Sequence, residues 1–263
     1  QFIMKQILIT IALLFSVNVN SQYHKYFYFS VPAAEVSTFL DMEAEHYGKV
    51  LEKAVQGGAI NGWAVYRKID SNRHTYNFYS YINFGSLEQF TNSGIGKYFG
   101  ERLDESGSPS LISSAIEKHG SYMEFSATFY RHDIQQNKNR EGFRYLKHNY
   151  AKVQNVGAFI QAQINNWGPF IKKVMDNGKI NQSIWATSSM LNPTGNGFDW
   201  NVKTIDGYQT LKDVYDPGSG SSLDFSEANI GKINETFPNG WYKQTLWERI
   251  IWIDSDGNLS IRN

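Results

Sequence analysis

One stretch of this chain occurs twice, about 120 residues apart, and a duplicated unit constrains architecture more than any single motif does. Residues 36–66 and 156–186 match without a gap. Val36 meets Val156, Phe39 meets Phe159, Gly48 meets Gly168, Lys53 meets Lys173, Gly58 meets Gly178 and Asn61 meets Asn181. Between the identities, size and character persist, as in Tyr47/Trp167, Leu51/Ile171 and Val55/Met175.

The same order of elements is predicted on either side of the repeat. In the first half, residues 23–31 are rich in Tyr and Phe and predict a strand. Val36, Phe39, Leu40, Tyr47, Val50, Leu51 and Ala54 then recur at helical spacing until Gly57-Gly58. Strands follow over 60–69 and 74–84, joined through a turn at 70–73, then helices over 86–103 and 111–118 and a strand over 121–131. In the second half the strands are expected over 143–153, 180–191, 198–205 and 241–253. Their helices are expected over 156–176, 207–215 and 226–235. Polar residues 135–141 predict a linker between repeats spanning 22–134 and 142–263.

Each half is thus β-α-β-β-α-β, an order that resembles the ferredoxin-like unit, a four-stranded antiparallel sheet with helices on one face. The other face must be covered too, and two copies can cover each other sheet to sheet. The predicted class is α+β: two tandem ferredoxin-like repeats closing as an intramolecular dimeric α/β-barrel. The run Trp167-Gly168-Pro169, Lys172-Lys173, Asn177-Gly178-Lys179-Ile180 resembles a pattern in secreted, mostly uncharacterised proteins of that superfamily. The first half has a weaker copy in Tyr47-Gly48, Lys53, Gly57-Gly58, Ile60 and Trp63. The superfamily includes antibiotic-biosynthesis-type monooxygenases and haem-degrading enzymes. The resemblance therefore implies either a cofactor-free monooxygenase or a haem-using enzyme, although these motifs are structural and speak to fold more than to chemistry.

Residues 4–21 have the form of a secretory signal peptide: Lys5, a short apolar run from Ile7 to Val17, then small residues before Gln22. Gln1, Phe2 and Ile3 precede Met4 and resemble translated upstream sequence. The run is short for a membrane span, so a secreted or periplasmic chain without a transmembrane segment is expected after cleavage. Lys+Arg and Asp+Glu both number 25, which gives no basic field for nucleic acid. The absence of cysteine excludes thiol catalysis, thiolate zinc and iron–sulfur sites. The expected state is a monomer carrying its own pseudo-dimer.

Strand alternation selects the side chains that would face between the sheets. Tyr76, Phe78, Ser80, Ile82 and Phe84 are assigned to the helices, as are Met123, Phe125, Ala127 and Phe129, and Phe198, Trp200 and Val202. The opposite faces supply Tyr28, Tyr79, Tyr81, Glu124, His148, Asp199 and Asn201 as candidate ligand-binding residues. Aromatic walls with a few polar groups suit a small apolar or aromatic ligand. The alternative is a filled interface in which the same groups satisfy one another, and this would favour a protein-interaction module instead. On the numbering of the helix repeat, Tyr79 falls against Asp199 and Tyr81 against Asn201, so the copies differ on the inner face.

Glu43 lies on the apolar stripe of the first helix and Gln163 at the same place in the second, so each needs a buried partner. Among the histidines, His148 is the candidate haem ligand or proton carrier. His24, His46, His74, His119 and His132 are assigned to surface or packing. No metal cluster, phosphate loop or hydrolase elbow is present. Asp254-Ser255-Asp256-Gly257-Asn258 resembles the start of a calcium loop but lacks its closing Glu, which predicts a tight turn. No cofactor is required by any motif; haem enters only through the resemblance.

Overall fold

The structure is a computed structural model and describes residues 22–69, 76–105, 109–194, 197–218, 223–254 and 256–262. The signal peptide expected over 4–21 and the turn expected over 70–73 lie outside the described residues.

The strands of the first half are β1 (Gln22–Phe29), β2 (Gly62–Lys68), β3 (Phe78–Phe84) and β4 (Met123–Gln136). Those of the second half are β5 (Tyr145–Ala151), β6 (Gln182–Asn192), β7 (Val202–Tyr208) and β8 (Lys243–Ile253). A short β9 (Leu259–Ile261) pairs with the end of β8. The spatial order is β2-β3-β1-β4-β6-β7-β5-β8, and β8 pairs back onto β2. The strands therefore form one closed, eight-stranded antiparallel barrel, in keeping with the α+β barrel expected, and the two halves meet edge to edge in one continuous ladder. Closure comes from two seams. β4 continues past its partner β1 to pair with β6, from Thr128↔Asn192 to Gln136↔Ile184. β8 continues past β5 to pair with β2 through Lys68↔Trp247 and Trp63↔Ile253. Gln135 and Gln136, expected to begin the linker, are ladder residues. Closing the barrel removes the exposed strand edges that two open sheets would leave.

The helices cover the outside. The first long helix, α1 (36–56), and its counterpart in the second half each contain a π-helical turn, at Glu43–Gly48 and Gln163–Trp167. In the first half α1 is followed by α2 (Leu87–Asn92), α3 (Ile95–Glu105) and α4 (Pro109–Ser121). In the second, α5 (156–176) is the long helix, with α6 (Leu211–Tyr215) and α7 (Ile230–Thr236) after it. Both matched glycine pairs have physical causes. Gly58 and Gly178 end the long helices at φ +70° and +67°, a left-handed cap that a side chain would strain. Gly48 and Gly168 let the long helices lie close to their neighbours: a Cβ would lie 3.2 Å from the Leu259 side chain at Gly48, and 3.0 Å from Asp133 Oδ2 and 3.2 Å from Trp185 at Gly168.

Strand pairing aligns the halves more securely than the helix numbering does. Tyr79 stands opposite Tyr28, and Lys203 stands opposite Tyr150. Tyr81 stands opposite Tyr26, and Ile205 opposite His148. The counterparts of Tyr79 and Tyr81 are therefore Lys203 and Ile205. This corrects the pairing with Asp199 and Asn201, which precede β7. A second correction concerns β4. Phe125, Ala127 and Phe129 point into the barrel, and Tyr122 packs under the helices. Both faces of β4 carry aromatic residues, so alternation separates them without saying which is inside. Trp200 and Tyr76, assigned to the helices, also pack inside the barrel.

Candidate functional site

Two regions qualify by their chemistry: the barrel interior, and the space between the barrel and the first-half helices.

Four of the seven candidate residues meet inside the barrel. Tyr28, Tyr79 and His148 are fully buried there, and Tyr81 is half-buried beside them. His148 Nδ1 lies 3.0 Å from the Tyr150 hydroxyl, and its Nε2 lies 3.4 Å from that of Tyr79. Trp247 packs edge-on to Tyr79 with ring centroids 4.6 Å apart. Burial, and then the charge of Lys203, hold the His148 imidazole well below its usual range. Lys203 is itself fully buried, with Nζ 3.5 Å from the Tyr26 ring centroid and 3.9 Å from that of Phe129. Burial pushes its amine well below the ordinary lysine value. Alternation alone puts Lys203 in phase with Asp199 and Asn201, and the 120-residue offset of the helix repeat sets it against Asn83, which hides its equivalence to Tyr79.

The other three candidates do not reach the interior. Glu124 is exposed on the outer face of β4, on the opposite side to Phe125. Asp199 is exposed and accepts a hydrogen bond from the Tyr242 hydroxyl at 2.8 Å. Asn201 caps the backbone of Val153: its Oδ1 accepts from the amide at 2.9 Å, and its Nδ2 donates to the carbonyl at 2.8 Å. Asn77 does the same for Val31, at 2.9 and 2.8 Å. The asparagines are thus a matched structural clasp.

The barrel is largely filled. The space lined by Tyr26, Tyr66, Tyr79 and Tyr81 is about 60 Å³. That admits small species and no aromatic ligand. It also decides the haem expectation at His148: both ring nitrogens meet tyrosine hydroxyls in a packed core, so these residues do not fit a macrocycle.

A larger cavity, about 520 Å³, lies on the outer face of the first-half strands, under α1–α4. Phe27 and Phe29 of β1, Trp63 of β2, and Ser80, Ile82 and Phe84 of β3 form its floor. Phe90, Ile95, Phe99 and Ile116 bring apolar side chains from the helices. The volume and the apolar walls fall in the range of small-molecule sites. Ser86 Oγ caps α2 by accepting from the Gln89 amide at 3.1 Å, which fixes the helix carrying Phe90.

One wall of this cavity is polar and buried. His119 near the end of α4 lines it, and His119 Nε2 lies 2.9 Å from Glu43 Oε1 in the π turn of α1. Glu43 is 1% exposed and His119 6%. The imidazole stacks on Tyr47, with centroids 4.1 Å apart, and on Phe39 at 5.5 Å with an interplanar angle of 6°. Burial, then the Glu43 carboxylate, push the Tyr47 phenol up to about 12. A carboxylate and an imidazole in contact at an apolar wall can accept a proton and pass it on. Glu43 announced itself in sequence by its place on the apolar stripe. His119 did not, because its partner is far away along the chain.

No family model matches the chain, and no curated protein matches it in sequence. Solved structures do match in shape. An anthrone oxidase-like protein aligns with TM-score 0.53 at 10% identity over 90% of this chain and 94% of its own. A mutant chlorite dismutase from Candidatus Nitrospira defluvii, crystallised with cyanide, aligns with TM-score 0.46 at 8% identity over 87% of this chain and 90% of its own. At such identities the likeness is one of fold. It is consistent with the dimeric α/β-barrel.

Proposed function

We propose that this protein is an exported, fused pair of ferredoxin-like repeats that binds one small apolar or aromatic molecule in the first-half cavity. The observation that carries the proposal is the contrast in size and lining. The interior expected to hold a ligand leaves about 60 Å³, whereas the helix–strand space leaves about 520 Å³ walled by phenylalanine, isoleucine and tryptophan. Burying aromatic surface against such walls supplies affinity, at about 25 cal/mol per Å² of apolar area removed from water. The His119–Glu43 pair, half-buried Lys25, and the hydroxyls of Ser80, Ser93 and Tyr47 are polar groups available to orient the ligand.

The test is a titration with N-phenyl-1-naphthylamine, an apolar fluorophore that brightens on leaving water. Emission rises and saturates at one molecule per chain. Ser80, 5% exposed on the cavity floor, becomes a plug in Ser80→Leu, which weakens binding by about tenfold or more. Thr204→Leu, the counterpart change in the second half, leaves binding intact. Equal binding by Ser80→Leu and the native chain would overturn the proposal.

A second reading, an oxygenase with or without haem, is favoured by the His119–Glu43 contact on the cavity wall. Among the described residues His119 is the only imidazole lining that cavity, with Nδ1 as the ring nitrogen that Glu43 does not engage. Haem would supply oxygen or electron chemistry there. A Soret band on adding haemin that is lost in His119→Phe and kept in His148→Phe supports this reading, and the absence of a band removes its haem form.

A further inference from the structure

The 60 Å³ space inside the barrel has an unusual lining: buried polar atoms without partners, a guanidinium among them. His24, 6% exposed, borders it, and neither of its ring nitrogens has a hydrogen-bond partner among the described residues. The Tyr66 hydroxyl and Arg131 Nε, on the same wall, also lack partners. Among the described residues no carboxylate lines the space. Arg249, the second-half counterpart of Arg131, stacks its guanidinium 4.8 Å from Phe143, another lining residue, and its Nε is unpartnered too. Both arginines act on the Tyr81 phenol, which also borders the space. The acid acting on Arg131 is Asp133, whose oxygens already accept from the Ile134 amide at 2.9 Å and the Gln135 side chain at 2.8 Å.

Buried donors that lack acceptors are costly, and guanidinium offers only donors. Water would satisfy some of them but would not compensate the positive charge. A compact anion would do both, through charge-assisted bonds. About 60 Å³ holds a few water-sized units, so the fitting species has at most a few heavy atoms.

We propose that this end of the barrel binds one small monoanion, a halide or a compact oxyanion such as formate or nitrate, through His24, Tyr66 and Arg131 in the field of Arg249. The anion ties the halves together, because His24, Tyr66 and Arg131 come from the first and Arg249 from the second. The depressed imidazole of His24 agrees with this: burial and then Arg131 and Lys203 hold it well below its usual range, and a bound anion relieves that repulsion.

The test uses the full chain at constant ionic strength, with sodium gluconate, too bulky for the space, replaced stepwise by chloride, formate or nitrate. The thermal midpoint rises saturably with at least one small anion, and the three arms separate halide from oxyanion. Tyr66→Phe and Arg131→Gln each weaken the apparent affinity, by about tenfold or more for the arginine. A midpoint indifferent to anion identity, or an unchanged response in both variants, overturns the proposal. If Arg131→Gln does not fold, chloride-35 line broadening by the native chain decides. Excess broadening reversed by formate or nitrate, or weakened in Tyr66→Phe, supports the site, and no excess broadening together with a formate and nitrate response unchanged in Tyr66→Phe overturns it.

Discussion

The outer faces of the two halves hold the same scaffold and opposite chemistry. Under α1–α4 the floor is Phe27 and Ile82, and the wall carries His119 and Glu43. Under α5–α7 the corresponding strand positions carry Asn149 and Asp206, and Gln163 and Phe237 line the space. His119 stacks on Phe39, and Phe237 meets Phe159, the residue that repeats Phe39. The second-half floor is knitted together: Asn149 Nδ2 donates to Asp206 Oδ2 at 2.8 Å, Gln182 Nε2 to Asp206 Oδ1 at 3.0 Å, and Gln244 Nε2 to Asn149 Oδ1 at 2.6 Å. Its cavity is about 230 Å³ against about 520 Å³. One copy uses polar satisfaction to close the space beneath its helices, and the other leaves that space apolar and open. Two halves with matching strand order can thus differ in what lies beneath their helices, one knitted by polar contacts and the other hollow.

The most severe way to erase the contrast is Ile82→Asp, which puts the second-half carboxylate on the apolar floor with no Asn149 or Gln182 equivalent, its one cross-strand neighbour in β1 being half-buried Lys25. We expect loss of naphthylamine binding and about 2–4 kcal/mol of destabilisation, measured by urea unfolding. Glu43→Leu comes next. It leaves the buried His119 nitrogen unpaired and costs about 1–3 kcal/mol, while apolar ligand binding survives.

Inside the barrel, the contrast between Tyr79 and Lys203 is testable through pH. The folded state holds the Lys203 amine well below 10.5, so the unfolded chain binds one more proton between the depressed value and 10.5. Stability therefore rises with pH through that window and is lost as pH falls. Lys203→Met removes this slope and stabilises the fold by about 1–3 kcal/mol at pH 7, read from denaturant melts between pH 6 and 9. His148 acts in the same sense below 6.5, because the unfolded chain protonates there first. The smallest effect should be symmetrical: Gly58→Ala and Gly178→Ala each cost about 1–2 kcal/mol, because each replaces a left-handed cap.

Sequence made the scaffold legible because the repeat preserves what backbone geometry demands. Gly48 and Gly168 permit close approach, Gly58 and Gly178 permit the cap, and the apolar helix stripes specify burial. The candidate site was less legible for two reasons. The helix numbering does not carry through to β3 and β7: it sets Tyr79 against Asp199, whereas the strand register sets it against Lys203. Phe125 and Phe129 are as suited to a barrel interior as to a helix interface, so β4 was turned inside out. Tyr28, Tyr79, Tyr81 and His148 do converge as alternation implied, but alternation carries no information about the volume left between them. The cavity depends on α2–α4, whose short segments repeat poorly in the second half, and His119 meets Glu43 only through the tertiary fold.

A crystal structure of the chain with bound N-phenyl-1-naphthylamine tests the central claim most directly. The account predicts one molecule against Trp63, Ile82 and Phe84 in the first half, with the space under α5–α7 free of it. Ligand density under α5–α7 or inside the barrel, with none in the first-half cavity, would contradict the account.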